Sequence, residues 1–149
     1  METNSQQIPR LFLVCPICGT ESYVRQHFGD GFFYTAPASV FHFDDPETIE
    51  ALRETVFRNR IGEIIWVADS SCCFIRRVLE NKPAELRCEH TIRSLYTPGD
   101  TALSITYKVM KQQIDRLGAK DLFGSAISDG TVKLSSLITA RHAQHLVTA

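Results

Sequence analysis

The chain has 149 residues, with 16 lysines and arginines against 17 aspartates and glutamates, giving a formal net charge of −1. At 44% hydrophobic and 22% charged it has the makings of a sizeable core, which argues against disorder and predicts a single domain over residues 1–149. The balanced charge leaves no electrostatic footprint for nucleic acid or an anionic membrane. The polar start, Met1 to Arg10, lacks a secretory leader's pattern, and no apolar run approaches the roughly 18 residues of a membrane span. A cytoplasmic protein is the expectation.

In chain order, Leu11-Phe-Leu-Val-Cys15 is a continuous apolar run, short enough for a buried strand and ended by Pro16, which cannot donate to a ladder. Gly29-Asp30-Gly31 is turn chemistry, and a second strand follows at Phe32 to Thr35. Asp45-Pro46-Glu47 then offers a cap, a proline at the first helical position and an acid in the first turn. With Ile49, Leu52, Val56 and Phe57 at helical spacing, this predicts a helix to about Arg60. After Gly62, Ile64-Ile-Trp-Val-Ala68 is apolar at every position, as suits a strand covered on both faces of a parallel sheet.

That strand ends at Asp69, and Ser70 or Ser71 is positioned to cap a helix whose Phe74, Ile75, Val78 and Leu79 share one side. Pro83 to Leu95 is a further predicted helix. Leu103, Tyr107, Met110, Ile114 and Leu117 predict another, capped by Asp100 and stopped by Gly118. Asp121 to Ser128 and Thr131 to Ser135 flank Asp129-Gly130, a pair suited to a hairpin turn. The predicted fold is α/β: a mostly parallel central sheet flanked by helices, with a C-terminal antiparallel hairpin. Ligands in such folds sit beyond the carboxyl ends of the strands, near a reversal of strand order.

Five cysteines, Cys15, Cys18, Cys72, Cys73 and Cys88, in a chain without an export leader favour metal or thiol chemistry over a disulfide framework. Two predicted strands end in potential ligands, the first in Cys15 and the later one in Asp69, with Cys72 three residues on. If the strands are neighbours the three converge, and two thiolates with a carboxylate oxygen suit Zn²⁺. Cys18 can close such a site as a fourth ligand, pair with Cys15 as the thiols of a Cys-Pro-x-Cys redox motif, or simply pack beneath the loop. Cys73 and Cys88 read as core or contact residues. His27, His42, His90, His142 and His145 read as surface residues, with a His142–His145 pair sharing a face only if the tail is helical.

From about Leu11 to Leu137 the sequence resembles the β-class carbonic anhydrases. Leu13-Val-Cys15-Pro-Ile-Cys18-Gly19 stands where that family has a strand ending in Cys-x-Asp-Ser-Arg, and Gly29-Asp-Gly-Phe32 matches its Gly-Asp-x-Phe. Ile64 to Cys73 resembles its strand leading to Gly-His-x-x-Cys-Gly. Val109 to Ile114, followed by Phe123 to Val132, is similar to its Val-x-x-Gln helix and Gly-Ala-x-Tyr-Asp hairpin. The resemblance implies the β-carbonic-anhydrase fold, a homodimer, zinc as cofactor, and CO2 or bicarbonate as ligand. The family's two cysteines and one histidine fall on Cys15, Asp69 and Cys72, so one zinc ligand is changed. Its Asp-Arg pair falls on Ile17 and Gly19, and its Arg-Asn-Ala-Gly-Asn segment on Thr35 to Ser39, without a match.

Two thiolates and a carboxylate would give the centre a charge of 2 − 3 = −1, and an anionic centre holds a water proton more tightly. Catalytic zinc works by bringing that proton's pKa to about 7. The expectation is therefore a zinc-binding relative in which CO2 hydration is weak or lost and a binding or regulatory role remains. The alternatives are an active carbonic anhydrase with an unusual Cys2Asp site, and a thiol-disulfide oxidoreductase using Cys15 and Cys18.

Overall fold

The computed structural model describes residues 8–140 and, for the backbone alone, residues 145–148. The apolar run at the start becomes β1 (Arg10–Val14), a strand with neighbours on both sides, as its lack of polar alternation requires. It is followed by α1 (Thr20–Phe28), β2 (Phe32–Thr35), a 3-10 turn at Pro37–Ser39, and α2 (Pro46–Arg58). Next come β3 (Glu63–Asp69), α3 (Cys73–Leu79), α4 (Arg87–Leu95), α5 (Ala102–Leu117), α6 (Gly124–Ser128), β4 (Lys133–Ala140) and β5 (His145–Thr148). The strand order is β2-β1-β3-β4-β5, and the first four of these run parallel.

Alternation along β1 divides the core between the two faces of the sheet. Leu11 and Leu13, with Ile64 and Trp66 of β3, pack against residues of α2, α3, α4 and α5. Phe12 and Val14, with Ile65 and Val67, form a smaller cluster with Val24 of α1 and Leu137 of β4. Helices thus lie on both faces, as expected. Gly31 shows how closely the second cluster is built: a Cβ there would stand 2.7 Å from the Phe12 ring and 3.2 Å from the Arg10 carbonyl. Gly31→Ala is expected to destabilise the fold by roughly 1–3 kcal/mol through overpacking, measurable as a lowered urea midpoint with an unchanged slope.

Three local expectations are corrected. The hairpin about Asp129-Gly130 does not form: residues 124–128 are helical, and Gly130, at φ 82, turns α6 into β4 rather than one strand into another. The reason lies in the spacing, because Phe123, Ala126 and Ile127 repeat at helical intervals and all pack on the main core. β4 pairs parallel with β3 from Glu63↔Lys133 to Asp69↔Thr139, and its antiparallel partner is β5. Secondly, α3 is not capped by a serine. The N–H and hydroxyl of Ser71 both donate to Asp69 Oδ1, which leaves Cys72 at the N-cap. Thirdly, Thr101 rather than Asp100 caps α5, in a reciprocal capping box with Ser104, while Asp100 accepts from Lys108 Nζ at 2.7 Å.

Residue 142 lies outside the described residues, as does the polar start at residues 1–7, and His145 begins β5. No helix among the described residues is long and apolar enough to cross a membrane.

Candidate metal centre

The strand order reverses between β1 and β3, which are parallel neighbours with Leu13 beside Trp66, so both strands deliver their carboxyl ends to one edge. Cys15 follows directly from β1. Cys72 stands at the N-cap of α3, its N–H donating to the Asp69 carbonyl at 3.1 Å. Gly19, at φ 74, turns the Cys15-Pro-Ile-Cys18 loop into α1, and Thr20 Oγ1 ties that helix to the Cys15 carbonyl at 3.1 Å. The result is a cluster of Cys15, Cys18 and Cys72 whose sulfurs all lie within 4.8 Å of one another. The three residues are only 2%, 3% and 3% exposed.

The electrostatics are those of thiols sharing one negative charge. The Cys15 thiol is held far below its usual pKa, to about 2, because Cys18 and Cys72 hydrogen-bond to its sulfur. Cys18 is correspondingly pushed up to about 12 by Cys15, and Cys72 is raised by Cys15, Cys18 and burial. The Ala38 N–H also points at Cys15 Sγ, at 3.2 Å. Such a cluster suits a cation that can replace the shared protons.

The donor set fits zinc. Tetrahedral Zn–S bonds of about 2.3 Å place sulfurs roughly 3.8 Å apart, inside the separation found here. Sulfur donors also select zinc over magnesium or calcium.

Of the residues expected to bind metal, the fold brings Cys15 and Cys72 together and adds Cys18. Asp69 is not among the clustered donors. Its Oδ1 takes both donors of Ser71, the N–H at 2.7 Å, and its Oδ2 accepts from Thr139 Oγ1 at 2.7 Å. Cys73 is half-buried and Cys88 buried, both outside the cluster. Exposed His90 and half-buried His42 are likewise outside it. His42 instead lines a cleft of about 300 Å³ with Phe41, Thr91, Gln112 and Arg116, a cleft to which no cysteine contributes. Ile17 is 59% exposed at the tip of the cysteine loop.

Two contributors to the site were not evident in the sequence. Gln113 of α5 grips Phe41 in both directions, accepting from its N–H at 2.9 Å and donating to its carbonyl at 3.2 Å. That grip fixes the segment leading away from the Pro37–Ser39 turn, whose Ala38 N–H meets Cys15.

With this geometry established, comparison with known proteins is informative at the level of structure. No family model and no curated protein matches the chain. Among solved structures, the β-carbonic anhydrase CafA of Aspergillus fumigatus superposes with a TM-score of 0.77 at 16% identity, over 96% of this chain and 76% of that one. The chain has the fold of a β-carbonic anhydrase. Other structures with the β-carbonic-anhydrase fold agree. A tetrameric enzyme of Sordaria macrospora matches over 95% of this chain and 81% of its own, with a TM-score of 0.72 and 14% identity. The Coccomyxa enzyme, in complex with acetazolamide, matches over 97% and 73%, with a TM-score of 0.71 and 13% identity. At 13–16% identity the likeness to these structures is one of fold.

Proposed function

We propose that this chain is a zinc-binding protein built on the β-carbonic-anhydrase fold as a single domain, in which Cys15, Cys18 and Cys72 hold the ion and CO2 hydration is weak or lost. The observation that carries the reading is the mutual approach of three buried sulfurs within 4.8 Å at the strand-order reversal. The ligand set Cys15, Asp69 and Cys72 expected from the sequence shares two members with it. Asp69 stands outside that cluster, with its carboxylate held by Ser71 and Thr139. In this reading Asp69 holds the turn that presents Cys72.

Zinc in such a site supplies Lewis acidity and, at any position left open to water, a means of activating that water. The residues around it here work against the second use. Three thiolates leave the centre with a charge of 2 − 3 = −1, which opposes proton release beside it. The positions that resemble the family's Asp-Arg pair are Ile17 and Gly19, neither of which can accept or hold a proton. The three sulfurs are almost wholly buried, which restricts the access of bulk water and substrate to any fourth position on the ion. The same enclosure weighs against thiol-disulfide exchange by Cys15 and Cys18, since a substrate disulfide has no exposed sulfur to meet. A homodimer, a cytoplasmic location and a binding or regulatory role complete the proposal.

The test is metal analysis of protein purified without added zinc, joined to stopped-flow CO2 hydration of the same sample. The expected result is about one zinc per chain, as for a structural site, with hydration at or near the uncatalysed rate. A metal-free chain that takes up no zinc would overturn the metal reading. Hydration far above the uncatalysed rate would overturn the proposed loss of activity and restore the active-anhydrase alternative.

A further inference from the structure

Between β2 and α2 the backbone does something that its residue types disfavour. Ala38 and Ser39 are consecutive residues at φ 61 and φ 57, neither is glycine, and both are buried. Non-glycine side chains persist in this left-handed region only where the surroundings dictate it.

The surroundings are specific. Ser39 Oγ donates to the Val67 carbonyl at 2.5 Å, and Trp66 Nε1 donates to the Ser39 carbonyl at 2.8 Å. Two adjacent residues of β3 therefore grip the same turn from opposite chemical ends. Within the turn, the Ser39 N–H reaches the Ala36 carbonyl at 2.9 Å and the Val40 N–H reaches the Pro37 carbonyl at 3.1 Å. The N–H of Ala36, which enters the turn, is fixed to the Val14 carbonyl at 3.1 Å. With those N–H groups committed inside the turn and to β1, the Ala38 N–H is turned outward, onto Cys15 Sγ at 3.2 Å.

We propose that the Pro37–Ser39 turn is a positioning element for the metal centre, clamped by Ser39 and Trp66 so that the Ala38 N–H holds and stabilises the Cys15 sulfur as a ligand. The proposal rests on the three-thiol reading above. An N–H donated to a thiolate stabilises its charge and restricts the directions in which its remaining lone pairs can bind. Replacing groups that orient ligands in this way typically costs about 10–100-fold in metal affinity. The strain in the turn has a use on this account: a relaxed turn would point its amide elsewhere. It also joins β1, β2 and β3 to a single sulfur, because the turn leaves β2, is clamped by β3, and meets a cysteine that follows β1.

The test compares Ser39→Ala and Trp66→Phe, each removing one clamp, with Ile92→Val, which loosens the buried core at α4 while leaving both clamp hydrogen bonds in place. Ser39→Gly is a fourth variant that removes the hydroxyl while accepting the positive φ, so the fold is spared the added strain. Zinc release to a chelator is timed, and the sulfur-to-cobalt charge-transfer band is recorded on cobalt-substituted protein. The expected result is release about tenfold faster in the clamp variants, with a shifted cobalt band. Ile92→Val should match the wild type in both readouts, though its melting temperature falls.

Clamp variants with wild-type release and spectrum would overturn the proposal. So would an Ile92→Val chain that releases zinc as fast as they do, because loosening of the fold would then suffice as explanation. The two readings separate at the wild type. A wild-type chain that binds no zinc removes the metal centre and the turn's role together, whereas wild-type binding with unchanged variants removes the turn's role alone.

Discussion

Zinc is expected to leave the protein when Cys15, Cys18 or Cys72 is replaced by alanine, and to remain when Cys73 or Cys88 is. The first three sulfurs share one enclosure and the other two lie outside it. A site reduced from three protein ligands to two loses most of its affinity, because zinc affinity of this kind comes from simultaneous thiolate bonds. The stability effect follows from mass action: zinc at a thousand times its Kd contributes about 4 kcal/mol to the folded state. For a domain near 150 residues this corresponds to roughly 8–16 °C in melting temperature. Scanning calorimetry with and without zinc isolates that increment from the packing lost with the sulfur. The zinc-dependent shift should be large in the wild type and in Cys73→Ala, and absent in Cys15→Ala, Cys18→Ala and Cys72→Ala. A wild-type-sized shift in any of the last three would contradict the ligand set.

The same cluster fixes the pH dependence of binding. In the metal-free protein Cys15 ionises at about 2, while Cys18 is pushed up to about 12 and Cys72 is also raised. Near neutral pH, then, one thiol is ionised and two carry protons that zinc must displace. Protons compete with the metal, so affinity falls as pH falls, by about a hundredfold per pH unit for two protons. Calorimetric titration in buffers of different ionisation enthalpy counts those protons directly, and the expected number is two per zinc. A count near zero would mean that the thiols do not receive the ion.

Several parts of this arrangement can be read directly from the residues. β1 and β3 are built on the uninterrupted apolar runs Leu11–Val14 and Ile64–Ala68, which suit strands buried on both faces and so the middle of a parallel sheet. Once they are neighbours, Cys15 and the Asp69–Cys72 segment must meet. Cys18 is different, because its approach depends on how Gly19 turns the loop, and a loop of two intervening residues permits ligation, redox pairing or plain burial equally well. α1 escapes the periodic reading because it buries only Thr20 and Val24, too thin a stripe to stand out. The hairpin expectation failed for a related reason: Asp129-Gly130 has the positive-φ tolerance of a hairpin turn, and the end of α6 exploits the same tolerance. Ala38 and Ser39 bear no mark of their left-handed backbone, which Trp66, Val67 and Cys15 impose from distant parts of the chain.

Asp69→Ala should lower stability by about 3 kcal/mol, or close to 10 °C in melting temperature, without emptying the metal site. Asp69 is 1% exposed, and its carboxylate is the shared acceptor for the Ser71 N–H, the Ser71 hydroxyl and the Thr139 hydroxyl. Truncation strands a buried donor of β4 and half-buried donors of the β3–α3 turn together. Thr139 keeps only a long contact to the Ala68 carbonyl at 3.4 Å, too weak to replace the 2.7 Å bond it loses. Asp69→Asn is the informative companion: its oxygen can still accept from Ser71, and the Thr139 hydroxyl can rotate to accept from its amide, so about 1 kcal/mol is the expected loss. Zinc content measured well below both melting temperatures then decides the part Asp69 plays. If the carboxylate holds the turn, both variants keep about one zinc per chain while their stabilities differ. If it ligates the ion, as the sequence spacing first suggested, the alanine variant loses zinc while still folded. The turn role rests on donors already in place around the carboxylate, and the ligand role requires the carboxylate to move into a cluster it stands outside.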